Sequence, residues 1–235
     1  MLPHTDKSGA RQRSAGATEE KRDAMDGPAW EGRGVGALPR HLRGFAQTHL
    51  ALRRDSRRLV AAVPLLTSSG LPAVAEWWRQ FRGIVDWHHR TEDEILWPGL
   101  IEHAPEIAAG SHLMVQDHVA LDDSMLRVTR ALEAGRAEAL DGPVGMFDSV
   151  LHQHLHEEEE LTFPVFTRVP PDVFTALERR VLAAAPFGVK RILPPWLLDG
   201  LPDPGGVMPG PVRLIGRTLL AKSYRRSVTG LLEPT

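Results

Sequence analysis

The sequence predicts an all-α protein, a four-helix up-and-down bundle with a helical C-terminal extension. Four segments place apolar residues alternately three and four positions apart, the spacing that keeps one face of a helix turned towards its partners. Breakers rich in Gly and Pro separate these segments, so long helices are joined by short links, which favours an up-and-down arrangement. The composition of the 235 residues, 42% hydrophobic and 25% charged, is that of an ordinary globular chain.

Each predicted helix carries one inward stripe of side chains. The stripe of the first helix consists of Leu42, Phe45, His49, Leu52, Ser56, Leu59 and Val63. The stripe of the second helix consists of Val74, Trp78, Phe81, Val85, His88, Glu92 and Ile95. The stripe of the third helix consists of Met114, His118, Leu121, Met125, Val128 and Leu132. The stripe of the fourth helix consists of Phe147, Leu151, His154, Glu158, Leu161 and Val165.

Glycine and proline mark the predicted helix ends. Pro72 and Pro143 lie near helix starts, where the missing N–H costs little. The breakers that separate the helices are Ser69-Gly70-Leu71-Pro72, Trp97-Pro98-Gly99, Gly135 and Asp141-Gly142-Pro143. We therefore expect the second helix to end at the breaker that contains Pro98.

The bundle is predicted to span residues 37–168. Residues 1–36 hold six Gly, six Lys or Arg and six Asp or Glu but few large apolar residues, so they are predicted to form a disordered tail. Residues 169–235 form the predicted C-terminal extension, in which a Pro- and Gly-rich stretch separates two shorter helices, Pro171–Ala185 and Val212–Val228. The second of these is amphipathic and basic. We favour packing of its apolar face on the bundle or on a second subunit over binding to a membrane or another protein.

Composition excludes several kinds of site. The chain has no cysteine, which rules out disulfides, thiolate zinc sites, iron–sulfur clusters and cysteine nucleophiles. The formal net charge of −2 gives no field that favours nucleic acid or an anionic membrane. No apolar run has the length of a membrane span, and the N-terminus lacks the apolar core of a signal peptide. We therefore expect a cytoplasmic protein.

Histidines and glutamates interrupt the apolar stripes. All four stripes contain a histidine, and burial of an unpaired imidazole or carboxylate is costly, so a compensating partner is required. Two stripes repeat one pattern, His-x3-Glu-x4-aromatic-Pro: His88 and Glu92 lie ten and six residues before Pro98, and His154 and Glu158 lie ten and six residues before Pro164. Spacing of i and i+4 puts both side chains of a pair on one helix face. A single pair arises easily by chance, whereas its repetition in register on two stripes indicates a metal site.

The donor types restrict the metal. Four imidazoles and two carboxylates without sulfur suit iron, manganese, zinc or copper rather than magnesium or calcium. Dinuclear nitrogen–oxygen sites inside helical bundles are typically di-iron or di-manganese. Six protein groups leave two metals with open positions, which is a property of reactive sites rather than structural ones.

The chain resembles the hemerythrin-like (HHE cation-binding) domain family over residues 38–168. The matching residues are Thr48-His49-Leu50, His88-His89-Arg90-Thr91-Glu92, Asp117-His118 and His154-Leu155-His156-Glu157-Glu158. The resemblance implies a centre of two non-haem iron ions, bridged by carboxylates and an oxo group, with manganese or zinc as alternatives. The implied metal ligands are His49, His88, Glu92, His118, His154 and Glu158.

The chain departs from the oxygen-carrying members of that family. Those proteins have a further histidine one turn from the third-helix ligand, whereas Met114 and Asp122 occupy the positions four before and four after His118. A site with fewer imidazoles favours reaction with peroxide, dioxygen or nitric oxide over reversible oxygen storage. If the protein is an enzyme, we expect a peroxide-consuming di-iron oxidoreductase of the catalase or peroxidase kind, linked to oxidative stress. An oxygen, iron or redox sensor that acts through the C-terminal extension, and a store of oxygen or iron, are the alternatives.

Other polar residues lie off the stripes. His89, His152 and His156 are one or two positions away from them, which predicts supporting or exposed positions rather than metal ligands. Within Glu157–Glu160 only Glu158 falls on the stripe, and the rest is predicted to be a solvated face.

Overall fold

The computed structural model describes residues 34–201 and 208–232, which are helical and contain no strand. Helix α1 spans Arg43–Ala62 and α2 spans Leu71–Thr91; a π-helical turn, Glu92–Leu96, then leads into α3, Trp97–Ile101. Helix α4 spans Ala108–Glu133 and α5 spans Asp141–Phe166. The C-terminal extension holds α6, Pro171–Ala184; α7, Phe187–Leu198; α8, Gly210–Arg217; and α9, Ala221–Leu232. The predicted all-α bundle with additional C-terminal helices is confirmed.

The predicted stripes form the core of the bundle. Every apolar residue of the first and third stripes is buried. At one end of the bundle the Trp78 ring packs edge-on against Phe147, with centroids 5.1 Å apart, and Trp77 stacks on Phe81. Burial of each such side chain contributes about 1.5–3 kcal/mol to folding. This aromatic layer fixes the helices beside the polar residues at mid-bundle.

The second helix does not end at the predicted breaker. The π-helical turn adds one residue to the helical repeat, and the chain stays helical to Ile101. Pro98 lies in the first turn of α3, where a missing N–H is tolerated. The inserted residue also changes which side chains face inward: Leu96 and Trp97 are buried, while Ile95, predicted on the stripe, is only half-buried.

The extension covers the side of the bundle between α1 and α2, since α7 and α9 each contact both of these helices. The Trp196 indole Nε1 donates a hydrogen bond to Asp55 Oδ2 on α1 at 2.9 Å, and the Tyr224 hydroxyl bonds to Asp199 Oδ2 at 3.0 Å. Tyr224 and Val228 are buried in the main core. The apolar face of this segment therefore packs on the bundle, which is the interpretation that the sequence favoured.

Two details of the extension differ from the prediction. The expected single helix Val212–Val228 is two helices, because a turn at residues 218–220 separates α8 from α9. Helix α7 was not predicted, because it contains Pro194 and Pro195. Both prolines are buried, and the backbone of α8 approaches them closely at Gly216, where a Cβ would lie 2.9 Å from Pro194 Cβ.

Some predictions fall outside the described residues. Residues 1–33 of the predicted tail and residues 202–207 of the Pro- and Gly-rich stretch lie outside them. Just after the first gap, Val35 is buried beside Ala46 of α1. Among the described helices, none combines the length and the apolar character needed to cross a bilayer.

Candidate metal centre

The six predicted ligands come together at mid-bundle in two adjoining clusters. In each cluster every residue offers one ligand atom, and these atoms lie within 4.8 Å of one another. The first cluster consists of His49, His88, Glu92 and Glu158. The second cluster consists of His89, His118 and His154. The structure thus places all six predicted residues in the two clusters and adds His89; their role as metal ligands stays a prediction.

Two glutamates lie between the clusters. One oxygen of Glu92 is 3.0 Å from His88 Nδ1, and its other oxygen is 3.7 Å from Nε2 of His118 in the second cluster. The Oε2 atom of Glu158 is 3.5 Å from His49 Nε2 and 3.7 Å from His154 Nε2. Each carboxylate therefore faces one imidazole of each cluster, which is the position that a bridging ligand between two cations would take.

The ring nitrogens and carboxylate oxygens that face this centre make no hydrogen bond among the described residues. Both carboxylate oxygens of Glu92 and of Glu158 are buried without a hydrogen bond among the described residues. The same is true of the Nε2 atoms of His49, His88, His118 and His154, and of both ring nitrogens of His89. Buried polar atoms are nearly always satisfied in native proteins, so such a group requires an explanation. Two metal cations bound by these nitrogens and oxygens fit the residues present.

A buried carboxylate orients His49. Glu159 Oε1 accepts a hydrogen bond from His49 Nδ1 at 2.7 Å, which turns Nε2 towards Glu158. Arg53 donates to both oxygens of Glu159 at 2.7 and 3.0 Å, and Glu159 is only 1% exposed. The prediction that Glu158 is the only residue of Glu157–Glu160 to face inward is wrong for Glu159, which is also buried. Carboxylates bonded to the second ring nitrogen commonly fix the tautomer and direction of metal-binding histidines.

A second carboxylate, that of Asp93, orients the ring of His118. Asp93 Oδ1 and Oδ2 lie 3.1 and 3.2 Å from His118 Nδ1, so Nε2 faces Glu92. Asp93 directly follows Glu92, as Glu159 directly follows Glu158. The repeated motif is therefore longer than its predicted form, because each inward glutamate is followed by an acidic residue that orients a histidine on another helix.

The electrostatics of the centre favour the neutral form of three of its histidines. Burial, together with the neighbouring histidines, lowers the pKa of His49, His89 and His154 well below the usual value. Burial alone would lower the pKa of His118 too, but its hydrogen bond with Asp93 and the nearby carboxylates raise it. Burial and the adjacent Glu92 raise the pKa of Glu158 well above its usual value. Neutral imidazoles are the form that binds a cation, and a cation beside Glu158 would oppose the rise in the pKa of its carboxyl group.

Sequence reasoning did not assign His89 to the centre. Its ring is 5% exposed, stacks on His118 with centroids 4.2 Å apart, and lies 5.1 Å from the ring of His154. Of the two predicted positions for His89, supporting or exposed, burial excludes the exposed one. His89 also adds a third imidazole to the second cluster. The third helix, which lacks the further histidine of the oxygen carriers, does not supply one. The other off-stripe histidines, His152 and His156, are half-buried and belong to neither cluster.

In the described part of the chain, two cavities reach residues of the clusters. On the α2–α4 side, an open groove of about 650 Å³ reaches His89 and His118. We call it the acidic groove; its other charged lining residues are Asp86, Asp93, Glu94, Asp122 and Asp123, with Arg82 and Arg90. Asp122 is exposed and belongs to neither cluster. On the opposite side of α2, a smaller cavity of about 90 Å³ reaches His88 and Glu92.

Comparison with known proteins identifies one family. The model of the family described as Hemerythrin HHE cation binding domain matches residues 41–170, which is 130 of the 235 residues. No curated protein matches the chain, and no solved structure does. The matched segment contains both clusters, Glu159, Asp93 and Arg53.

Proposed function

The chain belongs to the hemerythrin HHE cation-binding family, and we propose that its bundle holds two non-haem iron ions that react with a small oxidant such as peroxide, dioxygen or nitric oxide. The observation that carries the proposal is the position of Glu92 and Glu158, each of which faces one imidazole of each cluster. Because each carboxylate faces both clusters, the two together suit a pair of cations, one at each cluster. Positive charge there would also offset the mutual repulsion of the two carboxylates in the buried core.

The donors are compatible with iron. Five imidazoles and two carboxylates, with no cysteine in the chain, suit the borderline first-row metals that react with oxygen species. When bound in pairs, such ions exchange electrons with an oxidant and stabilise the charge that develops on its oxygen atoms. Seven protein groups for two ions leave room for an external molecule.

The residues of this chain prepare the site for that chemistry. Glu159 and Asp93 hold His49 and His118 with Nε2 turned towards the centre, so little reorganisation is needed when a cation binds. The surrounding apolar core keeps bulk water away from the bridging glutamates, which are 2% and 0% exposed. Exclusion of water strengthens every electrostatic interaction inside the site.

Metal analysis tests the proposal directly. Protein purified with iron should contain close to two ions per chain, and His88→Ala or Glu158→Ala should abolish loading, because each removes a donor that no neighbour replaces. His156→Ala is the matched control, since His156 is half-buried on α5 outside both clusters. Absorption spectra before and after peroxide then test reactivity. Peroxide loss no faster than with free iron would contradict an enzymatic role.

A sensing role is the second candidate, and the packing of the extension favours it. Helices α7 and α9 lie against α1 and α2, which carry His49 and His88, so a change in metal occupancy could alter how the extension packs. Protease sensitivity of residues 190–235 that changes with occupancy, in the absence of turnover, would favour sensing. The number of imidazoles no longer disfavours oxygen storage, because His89 lies in the second cluster and adds a third imidazole there. A reversible oxygenation spectrum would identify storage.

A further inference from the structure

The cavity of about 90 Å³ lies where the C-terminal extension meets the bundle; we call it the extension pocket. Its walls come from α1, α2, the π-helical turn, α6 and α7. The lining residues include His88, Glu92, Phe45, Glu178, Leu193 and Leu197. Because a cavity of about 150 Å³ accommodates a six-carbon ring, one of this size has room for about four heavy atoms. The pocket is therefore larger than peroxide or dioxygen requires.

One ionisable group of the extension faces this pocket. Glu178 of α6 has neither a hydrogen bond nor an ion pair among the described residues, although it is largely buried. Burial raises its pKa to about 7, so much of it carries a proton near neutral pH and can donate a hydrogen bond. Small-molecule pockets characteristically combine apolar walls with a few polar groups that fix orientation.

A glycine makes room for this carboxyl group. A Cβ at position 44 would lie 2.5 Å from Glu178 Oε1, closer than real Cβ contacts come. Gly44 lies in the first turn of α1 and lines the pocket on the side facing α6. The absence of a side chain there lets the carboxyl reach the cavity instead of turning out to solvent.

We propose that the extension pocket binds a small neutral molecule that combines one hydrogen-bonding oxygen with a short alkyl group, the chemistry of a short-chain alkyl hydroperoxide or of the matching alcohol, and that Glu178 positions its oxygen. The inference deepens the proposed function and rests on it. The apolar side chains of Phe45, Leu193 and Leu197 favour an alkyl group over a second polar end. The oxygen end would lie between Glu178 and the residues of the first cluster, His88 and Glu92.

Binding of 2-propanol to zinc-loaded protein tests the proposal without turnover. This probe has four heavy atoms, and zinc keeps the protein redox-inactive. The readout is the NMR shift of the methyl groups of Leu193 and Leu197 during titration. We expect saturable shifts with a dissociation constant in roughly the millimolar range, as befits so small a ligand. The methyl groups of Leu113 and Leu219, which are 57% and 76% exposed, should not move in parallel.

Variants separate the parts of the proposal. Glu178→Leu removes the donor and should weaken binding about fivefold, the worth of one hydrogen bond, whereas Glu178→Gln keeps a donor and should stay within about twofold. Gly44→Ala should weaken binding by a similar factor, because it displaces the carboxyl. Gly145→Ala is its matched control, since a Cβ there meets nothing within 4 Å. Melting temperatures check that each variant is folded.

The outcomes are distinguishable from those of the proposed function. Failure to load zinc would contradict the metal centre itself. Zinc-loaded protein that shows no saturable shifts, or shifts equally at Leu113 and Leu193, would overturn the extension pocket as a binding site. Equal affinity of the Glu178→Leu variant and the unaltered protein would overturn the positioning role of Glu178.

Discussion

Two carboxylates outside the predicted ligand set, Glu159 and Asp93, determine how two imidazoles of the centre are directed. Each is bonded to an Nδ1 atom, and each leaves an Nε2 atom without a partner among the described residues. The Glu159 interaction is the more enclosed of the two, because Arg53 binds both carboxylate oxygens and all three side chains are buried. Burial of these charges costs desolvation free energy, which the ion pair between Arg53 and Glu159 offsets in part, and the network holds the His49 ring in one direction.

Replacement of Glu159 should therefore weaken metal binding without removal of a ligand. Glu159→Gln keeps the shape of the side chain but loses the charge that pairs with Arg53 and polarises His49. We expect the affinity for zinc to fall by about tenfold or more, measured by competition with a chelator. Glu160→Gln is the matched control, because Glu160 is exposed on the same helix. Equal affinities of the two variants would show that Glu159 has only a structural role.

The buried carboxyl group of Glu178 should make the free energy of unfolding depend on pH. Its pKa is raised to about 7 in the folded protein, from 4.5 for an unperturbed glutamate. Between these values the folded chain holds a proton that the unfolded chain has lost, so stability falls as pH rises through this window. Glu178→Gln removes the effect, and its stability relative to the unaltered protein should increase by about 2 kcal/mol between pH 5 and pH 8.5.

Urea unfolding at the two pH values measures this difference. The comparison between the variant and the unaltered protein cancels the titration of the metal-centre histidines, which both share. Glu138→Gln is the control, because it makes the same replacement at an exposed position outside the pocket. A constant offset for Glu178→Gln would mean that its carboxyl is already ionised in the folded protein at pH 5.

At the scale of the helix, periodicity predicted the stripes but not the width of the site. Each stripe is a line of side chains, whereas a centre for two ions is broad enough to take residues on both sides of that line. Adjacent residues on a helix are about 100° apart, so His88 and His89 can straddle the centre, one in each cluster. Spacing on one helix cannot reveal this, because it depends on how far apart the neighbouring helices stand.

Sequence patterns predicted neither the π-helical turn nor helix α7. A π-helical turn has no composition signal, yet it sets Leu96 and Trp97 inward, four and five residues after Glu92. In α7, Pro194 and Pro195 remove two helical donors, which normally ends a helix. The carbonyls left without those donors belong to Lys190 and Arg191, which are exposed, so water can bond to them. Burial of the prolines and of their apolar neighbours then outweighs the poor helical propensity.

For the molecule as a whole, the two openings to the centre differ in chemistry. The extension pocket has mostly apolar walls, whereas five carboxylates and two guanidinium groups line the acidic groove. The groove ends at His89 and His118, whose free ring nitrogens are buried behind it. A low-dielectric groove with an excess of negative charge concentrates cations and accelerates their arrival. The acidic groove lies on the α2–α4 side, which the extension on the α1–α2 side does not cover, and we expect metal ions to enter through it.

Removal of negative charge from the acidic groove should therefore slow metal loading but leave the final metal content of the protein unchanged. The double variant Asp122→Asn/Asp123→Asn removes two exposed carboxylates that belong to neither cluster. We expect its uptake of Co²⁺, measured by visible absorption, to slow by roughly threefold or more at low salt. The difference should shrink at high ionic strength, because salt screens charges separated by more than a Debye length of about 10 Å at 0.1 M. The control Glu133→Gln/Glu138→Gln makes the same change in net charge on exposed residues outside the groove. Equal loading rates in the two double variants would mean that net charge alone, and not the groove, attracts the metal.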